Sequence, residues 1–114
     1  MTEEMLLASS LAGAYFENYV MNQLVIKNAL SKNERNIYFY RDIDQNEVDI
    51  LLEDGDGITP LEVKLSANPN KRDIEKFKVL EKLNRNIKDG GIICLIDSVY
   101  PVNEHNSLIP AGLI

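Results

Sequence analysis

The chain is poor in soft metal ligands: its 114 residues hold one cysteine, Cys94, and one histidine, His105. A single cysteine cannot close an internal disulfide, and within Gly90-Gly91-Ile92-Ile93-Cys94-Leu95-Ile96 it reads as a small core hydrophobe rather than a reactive thiol. One histidine without cysteine partners does not make a zinc site. No apolar run reaches the roughly 18 residues that cross a bilayer. The start, Met1-Thr2-Glu3-Glu4, lacks the positive stretch of a secretory signal, so no membrane role is expected and a cytoplasmic location is. The absence of Gly-x-x-x-x-Gly-Lys-Ser/Thr excludes ATP binding through a P-loop. Internal repeats and low-complexity linkers are also missing, and the length fits one domain over residues 1–114.

What is present is an ordinary globular balance, 45% hydrophobic and 26% charged, with a formal charge of -6. Such acidity weighs against nucleic acid as a partner, because affinity for it rests on cations placed against phosphates. The charge is uneven, however. Between Lys64 and Lys88 eight basic residues outnumber Asp73, Glu75 and Glu81, a local net of +5 within a chain of -6. DNA could therefore meet one basic helix through Lys71, Arg72, Lys76 and Lys78. The competing reading is a solvated helix face with Lys-Glu spacing, which charge alone favours.

Periodicity predicts a long amphipathic helix from Ser9 or Ser10, as cap, to Leu30, with Leu11, Tyr15, Val20 and Leu24 on its apolar stripe. Ile37-Tyr38-Phe39-Tyr40 reads as a first strand and Asp42 to Asn46 as a turn. Glu47 to Leu52 reads as a second strand. Asp54-Gly55-Asp56-Gly57 predicts a tight reversal into an antiparallel third strand, about Thr59 to Leu65. After Asn68-Pro69-Asn70, apolar Ile74, Phe77, Leu80 and Leu83 recur every three residues, which marks a second helix ending near Asp89-Gly90-Gly91. Gly91 to Ile96 is apolar on both faces, as in a central strand covered by helices on each side. The tail, with Pro101 and Pro110, offers a short edge strand around Leu108. Helix, three strands, helix, strand is an α/β arrangement with a small mixed sheet.

Strand alternation puts Glu47, Asp49 and Leu51 on one face, with Val48, Ile50 and Leu52 toward the core. Glu62 and Lys64 share a face of the next strand. If Asp49 lies beside Glu62, two carboxylates sit about 5 Å apart, where repulsion raises a pKa unless a cation intervenes. Hard oxygen ligands suit Mg²⁺ or Mn²⁺, held by Asp49, Glu62 and the main-chain carbonyl of Val63. Lys64 can orient a water and stabilise phosphate oxygens, so the chemistry indicated is phosphodiester hydrolysis. Glu17, on a wheel position between Gly13, Ala14, Val20, Met21 and Leu24, reads as a core-facing carboxylate needing a cation or a main-chain donor. The plainer alternative is an ordinary ion pair of Asp49 with Lys64 across the hairpin.

Asp49, Glu62 and Lys64 in this order resemble the PD-(D/E)XK nuclease superfamily, although Asn46-Glu47 stands where many members have a proline before the aspartate. The leading helix with Glu17 is similar to that of archaeal-type Holliday junction resolvases. Leu11-Ala12-Gly13-Ala14-Tyr15-Phe16-Glu17-Asn18, Tyr38-Phe39-Tyr40-Arg41-Asp42, Asn46-Glu47-Val48-Asp49 and Leu61-Glu62-Val63-Lys64 together resemble a domain of unknown function at the carboxyl end of bacterial and archaeal AAA-type ATP-binding proteins. The resemblance implies a restriction-endonuclease-like αβββαβ core with helices on both faces. It also implies that the chain is the C-terminal part of a longer ATPase, with that ATPase domain as partner. Glu17, Asp49, Glu62 and Lys64 would then be the catalytic positions of a metal-dependent nuclease. The alternative it leaves open is an inactive nuclease-fold module that docks the ATPase.

Overall fold

The structure is a computed structural model that describes residues 2–114, the side chains of Leu6 and Leu7 excepted. Helix α1 runs Glu3–Leu30 and starts earlier than the serines suggest, because Thr2 caps it: the Thr2 hydroxyl accepts the Met5 N–H at 3.1 Å. Glu3 and Glu4 fall in the first turn, where carboxylates favour the positive end of the helix dipole. The helix stops where the Ser31 N–H turns back to the Asn28 carbonyl. The Asn28 side chain then brackets Arg35, accepting its N–H at 2.7 Å and donating to its carbonyl, which returns the chain toward the sheet.

Six strands form one mixed sheet in the order β1-β2-β3-β4-β6-β5, with β1 Asn36–Arg41, β2 Glu47–Asp54, β3 Gly57–Val63, β4 Gly90–Cys94, β5 Tyr100–Pro101 and β6 Asn106–Pro110. The first three make an antiparallel meander, and β4 lies parallel to both β3 and β6. The Asp54–Gly57 reversal forms as its residues predict: Asp54 Oδ1 accepts the N–H groups of Asp56 and Gly57, and Gly57 takes φ 152°. Val20 and Leu24 of α1 pack on Ile50, Leu52, Leu61, Val63 and Ile93. On the other face Ile74, Phe77 and Leu80 cover Val48, Leu51, Ile58, Ile92 and Leu108. The chain is thus an α/β fold with helices on both faces of its sheet.

Four expectations need correction. First, Leu11 and Tyr15 do not belong to the buried stripe of α1; they are 50% and 72% exposed and share the outer face with Tyr19, Ile26 and Leu30. The helix carries apolar residues on two faces, and only the one through Phe16, Val20 and Leu24 meets the sheet. Second, the segment after Asn70 is a 3-10 helix, Lys71–Leu83, ended by Asn84 in the left-handed conformation rather than near Gly90. A strict three-residue repeat matches three residues per turn, in which i and i+3 eclipse. Third, β6 is an inner strand, screened from the edge by two-residue β5 with Pro101.

Gly90 and Gly91 supply the fourth correction, since they open β4 instead of ending a helix. A Cβ on Gly90 would stand 1.9 Å from the Pro60 carbonyl oxygen, and one on Gly91 1.9 Å from that of Ser107. Only glycine admits both neighbouring strands this closely. Among the described residues no helix is long and apolar enough to cross a membrane.

Candidate functional site

The site begins with an irregularity in β2. Tyr38 pairs with Leu51 and Tyr40 with Val48, so two steps along β1 match three along β2. The extra residue falls within Asp49–Ile50, a β-bulge. It reverses the alternation expected from strand periodicity: Val48 and Leu51 lie under the 3-10 helix, whereas Ile50 and Leu52 face α1. No single face of β2 is left to solvent, and Glu47, Asp49 and Leu51 do not form a common row.

Regular pairing of β2 with β3 stops at Ile50 and Leu61. Beyond it, side chains take over the ladder. The Asp49 main-chain N–H donates to Glu62 Oε1 at 3.2 Å, and the Val63 N–H donates to Asp49 Oδ2 at 2.9 Å. Each strand's donor is met by the other strand's carboxylate, which fixes both acids without spending Asp49 Oδ1 or Glu62 Oε2. Neither of those two oxygens accepts a hydrogen bond among the described residues.

Glu62 is 1% exposed and, among the described residues, is the buried charged residue of the core. Leu61 and Val63 turn toward α1, which directs Glu62 beneath the 3-10 helix. Burial, and then the charge of Asp49, push its carboxyl up to about 7 against the pull of Lys76 and Lys64. Lys64 Nζ stands 4.0 Å from Glu62 Oε2 and 3.9 Å from Asp73 Oδ2. Lys76 Nζ is nearer to Glu62, at 3.6 Å.

Asp49, Glu62 and Lys64 therefore converge. Glu17 is placed differently from its core-facing expectation: it is exposed on α1 and lines a surface cavity of about 170 Å³ with Phe39, Tyr40, Arg41, Glu47, Val48 and Asp49. Its apolar neighbours on the wheel misled because α1 has two apolar faces, and Glu17 flanks the buried one at its rim. Partial desolvation and the nearby charges of Asp49 and Glu47 still raise its pKa, with Lys64 opposing. Among the described residues, no three acidic, histidine or cysteine side chains come together as a ready metal cluster.

The basic segment is also spent differently. Lys82 pairs with Asp42, Arg85 with Glu53, Lys88 with Asp54, and Lys76 with Glu62. The local excess of cations largely answers acids of β1–β3 and their turns. Lys71, Arg72 and Lys78 line a cleft of about 590 Å³ together with Glu75 and Glu81, and Lys71 stacks on Tyr100 at 4.6 Å. Neither Asp49 nor Glu62 borders that cleft.

The sequence reading missed Asp73 and assigned Lys76 to DNA rather than to Glu62. The signal was available in the three-residue repeat, since a 3-10 pitch that buries 74, 77 and 80 puts 73, 76 and 82 on one ridge. Residues 12–114 match the family described as Domain of unknown function (DUF4143), and the chain belongs to that family. No curated protein and no solved structure matches the chain.

Proposed function

We propose that this DUF4143 domain is a nuclease-like, divalent-metal-dependent phosphodiester hydrolase of the PD-(D/E)XK type, acting on DNA as an accessory to an AAA-type ATPase. The observation that carries the reading is the reciprocal lock of Asp49 and Glu62 at the bulge, with Lys64 beside them. Two fixed carboxylates, one buried at 1% exposure, are costly unless a cation is their normal companion. Their free oxygens form an all-oxygen donor set, which fits Mg²⁺ or Mn²⁺ held by one or two carboxylates and waters. Asp49, Glu62 and the Val63 carbonyl would hold such an ion, which when bound supplies positive charge for a phosphate and activates water.

The chain's own groups then have distinct parts. Glu62 is held by the Asp49 N–H and Asp49 by the Val63 N–H, so neither carboxylate can rotate without losing a hydrogen bond to a main-chain donor. Lys64, bracketed by Glu62 and Asp73, presents an ammonium that can orient a water or meet a phosphate oxygen. Glu17, with its raised pKa, is placed at the cavity rim to hold or pass a proton. Lys71, Arg72 and Lys78 offer cations along which a DNA backbone could run.

Calorimetric titration with Mn²⁺ tests the site: binding by the wild type and none by Asp49→Ala is expected, and equal heats in both would remove it. Cleavage of linear, plasmid and four-way-junction DNA, with Glu62→Ala and Lys64→Ala as controls, tests the reaction.

A specific observation favours a second reading, a non-cutting docking module. Leu11, Tyr15, Tyr19, Ile26 and Leu30 leave an uncharged apolar stripe on the outer face of α1, the kind of surface that marks a protein partner. Silence toward every nucleic acid, together with an ATPase interaction lost in Tyr15→Glu, would select it.

A further inference from the structure

Lys76 is the nearest cation to the buried carboxylate, yet its grip is loose. Its Nζ stands 3.6 Å from Glu62 Oε2, outside hydrogen-bond range, whereas Lys82 meets Asp42 and Lys88 meets Asp54 at 3.1 Å each. Lys64 is no closer to Glu62, and Asp73 holds it from the other side. Lys76 has Glu62 as its one acidic partner among the described residues, and its side chain is 45% exposed. Departure into solvent would therefore cost Lys76 little, and it would leave Glu62 Oε2 open on the side of the 3-10 helix.

Building on the metal reading above, we infer that the Lys76 ammonium is an internal stand-in for the divalent cation: it balances Glu62 when no metal is bound and competes with metal for that carboxylate. Lys76 is a positioning residue in this scheme. Its backbone is anchored beside Ile74 and Phe77, which are packed on the sheet, while its half-exposed side chain lets the ammonium reach both Glu62 and solvent. The arrangement keeps a buried acid from standing alone while leaving the place of the metal accessible. A cation held at hydrogen-bonding distance would do the first and block the second.

The competition can be measured on the intact chain without any nucleic acid. Mn²⁺ is titrated calorimetrically, in one buffer above neutrality, into the wild type and into Lys76→Met, Lys76→Arg, Lys64→Met and Asp49→Asn. Loss of a unit positive charge a few ångströms from the ion should tighten binding about tenfold in Lys76→Met. Lys76→Arg should restore weak binding, and Asp49→Asn should abolish it. A purely structural ion pair predicts lower melting in Lys76→Met but no gain in affinity. Asp49-dependent binding that is unchanged or weaker in Lys76→Met would overturn the inference and leave the metal site standing. Absence of Asp49-dependent heat from every protein would overturn both.

Discussion

Asp42 and Glu62 are acids on the same side of one small domain, both answered by lysines of the 3-10 helix, and their environments are opposite. Asp42 is saturated: Oδ1 accepts the N–H groups of Asp44 and Asn46, and Oδ2 accepts from the Tyr40 hydroxyl, the Asn46 amide and Lys82. Burial pushes its carboxyl up, but the donors from Asn46, Lys82 and Tyr40 outweigh that and hold it well below the usual carboxylate range. Glu62 has one main-chain donor, a neighbouring carboxylate and two lysines beyond hydrogen-bond range, and its carboxyl rises to about 7. The difference lies in burial beside a second carboxylate at Glu62 against a full set of donors at Asp42. A saturated carboxylate has nothing to offer a ligand, whereas an under-satisfied pair gains from any cation that arrives.

The largest expected effect separates the two acids by activity. If the Glu62 pair is the reaction site and the Asp42 cluster is scaffolding, Glu62→Ala should lower Mn²⁺-dependent DNA cleavage by about 10³-fold or more. Asp42→Asn should leave the rate per folded molecule near wild type. Gel assays on matched concentrations of folded protein decide it, and equal losses in both variants would erase the distinction drawn here.

A smaller effect comes from pH and has opposite signs at the two acids. Glu62 has a folded pKa of about 7 against an ordinary 4.5, so its contribution to stability is full below 4.5 and is lost as pH rises toward 7. Glu62→Gln mimics the protonated form at every pH. The variant should match wild type near pH 4 and exceed it above pH 7, by on the order of 3 kcal/mol if the shift is taken at face value. Urea midpoints measured across that range check the sign, and saturating Mn²⁺ should shrink the gap by favouring the ionised wild-type acid. A Glu62→Gln protein less stable than wild type above pH 7 would mean that the two lysines already satisfy Glu62, as the donors satisfy Asp42.

How much of this could be read without coordinates follows from which signals are local. The meander was legible because Asp54-Gly55-Asp56-Gly57 can hardly do anything but reverse, and β4 because Ile92, Ile93 and Cys94 leave no polar face. The proximity of Asp49 to Glu62 followed from that hairpin, since Ile50 opposite Leu61 carries the count one step further. The bulge did not follow: one extra residue in β2 is a property of how β1 and β2 twist together, and it changed which side chains share a face. Glu17 was misplaced because a wheel tells which residues are neighbours and not which face meets the sheet. Lys76 was read as a phosphate contact because its partner is a carboxylate 14 positions earlier on another element.

The smallest expected effect tests the Asp42 side alone. A folded pKa below the ordinary 3.8 means that the stability Asp42 contributes is present above that value and fades as pH falls through the folded one. Asp42→Asn should therefore be less stable than wild type at neutral pH, with the difference closing in acid, the reverse of the trend for Glu62→Gln. The cause is geometric as well as electrostatic. An asparagine amide turned toward Oδ2 would set its N–H groups against the Tyr40 hydroxyl, the Asn46 amide and Lys82, and turned toward Oδ1 would face two main-chain N–H groups. Lys82→Met, which removes one exposed donor of five, should move the urea midpoint less than Asp42→Asn does. If Lys82→Met is the more damaging of the two, the lysine rather than the main-chain donors holds the β1–β2 turn, and Asp42 resembles Glu62 more than its hydrogen bonds imply.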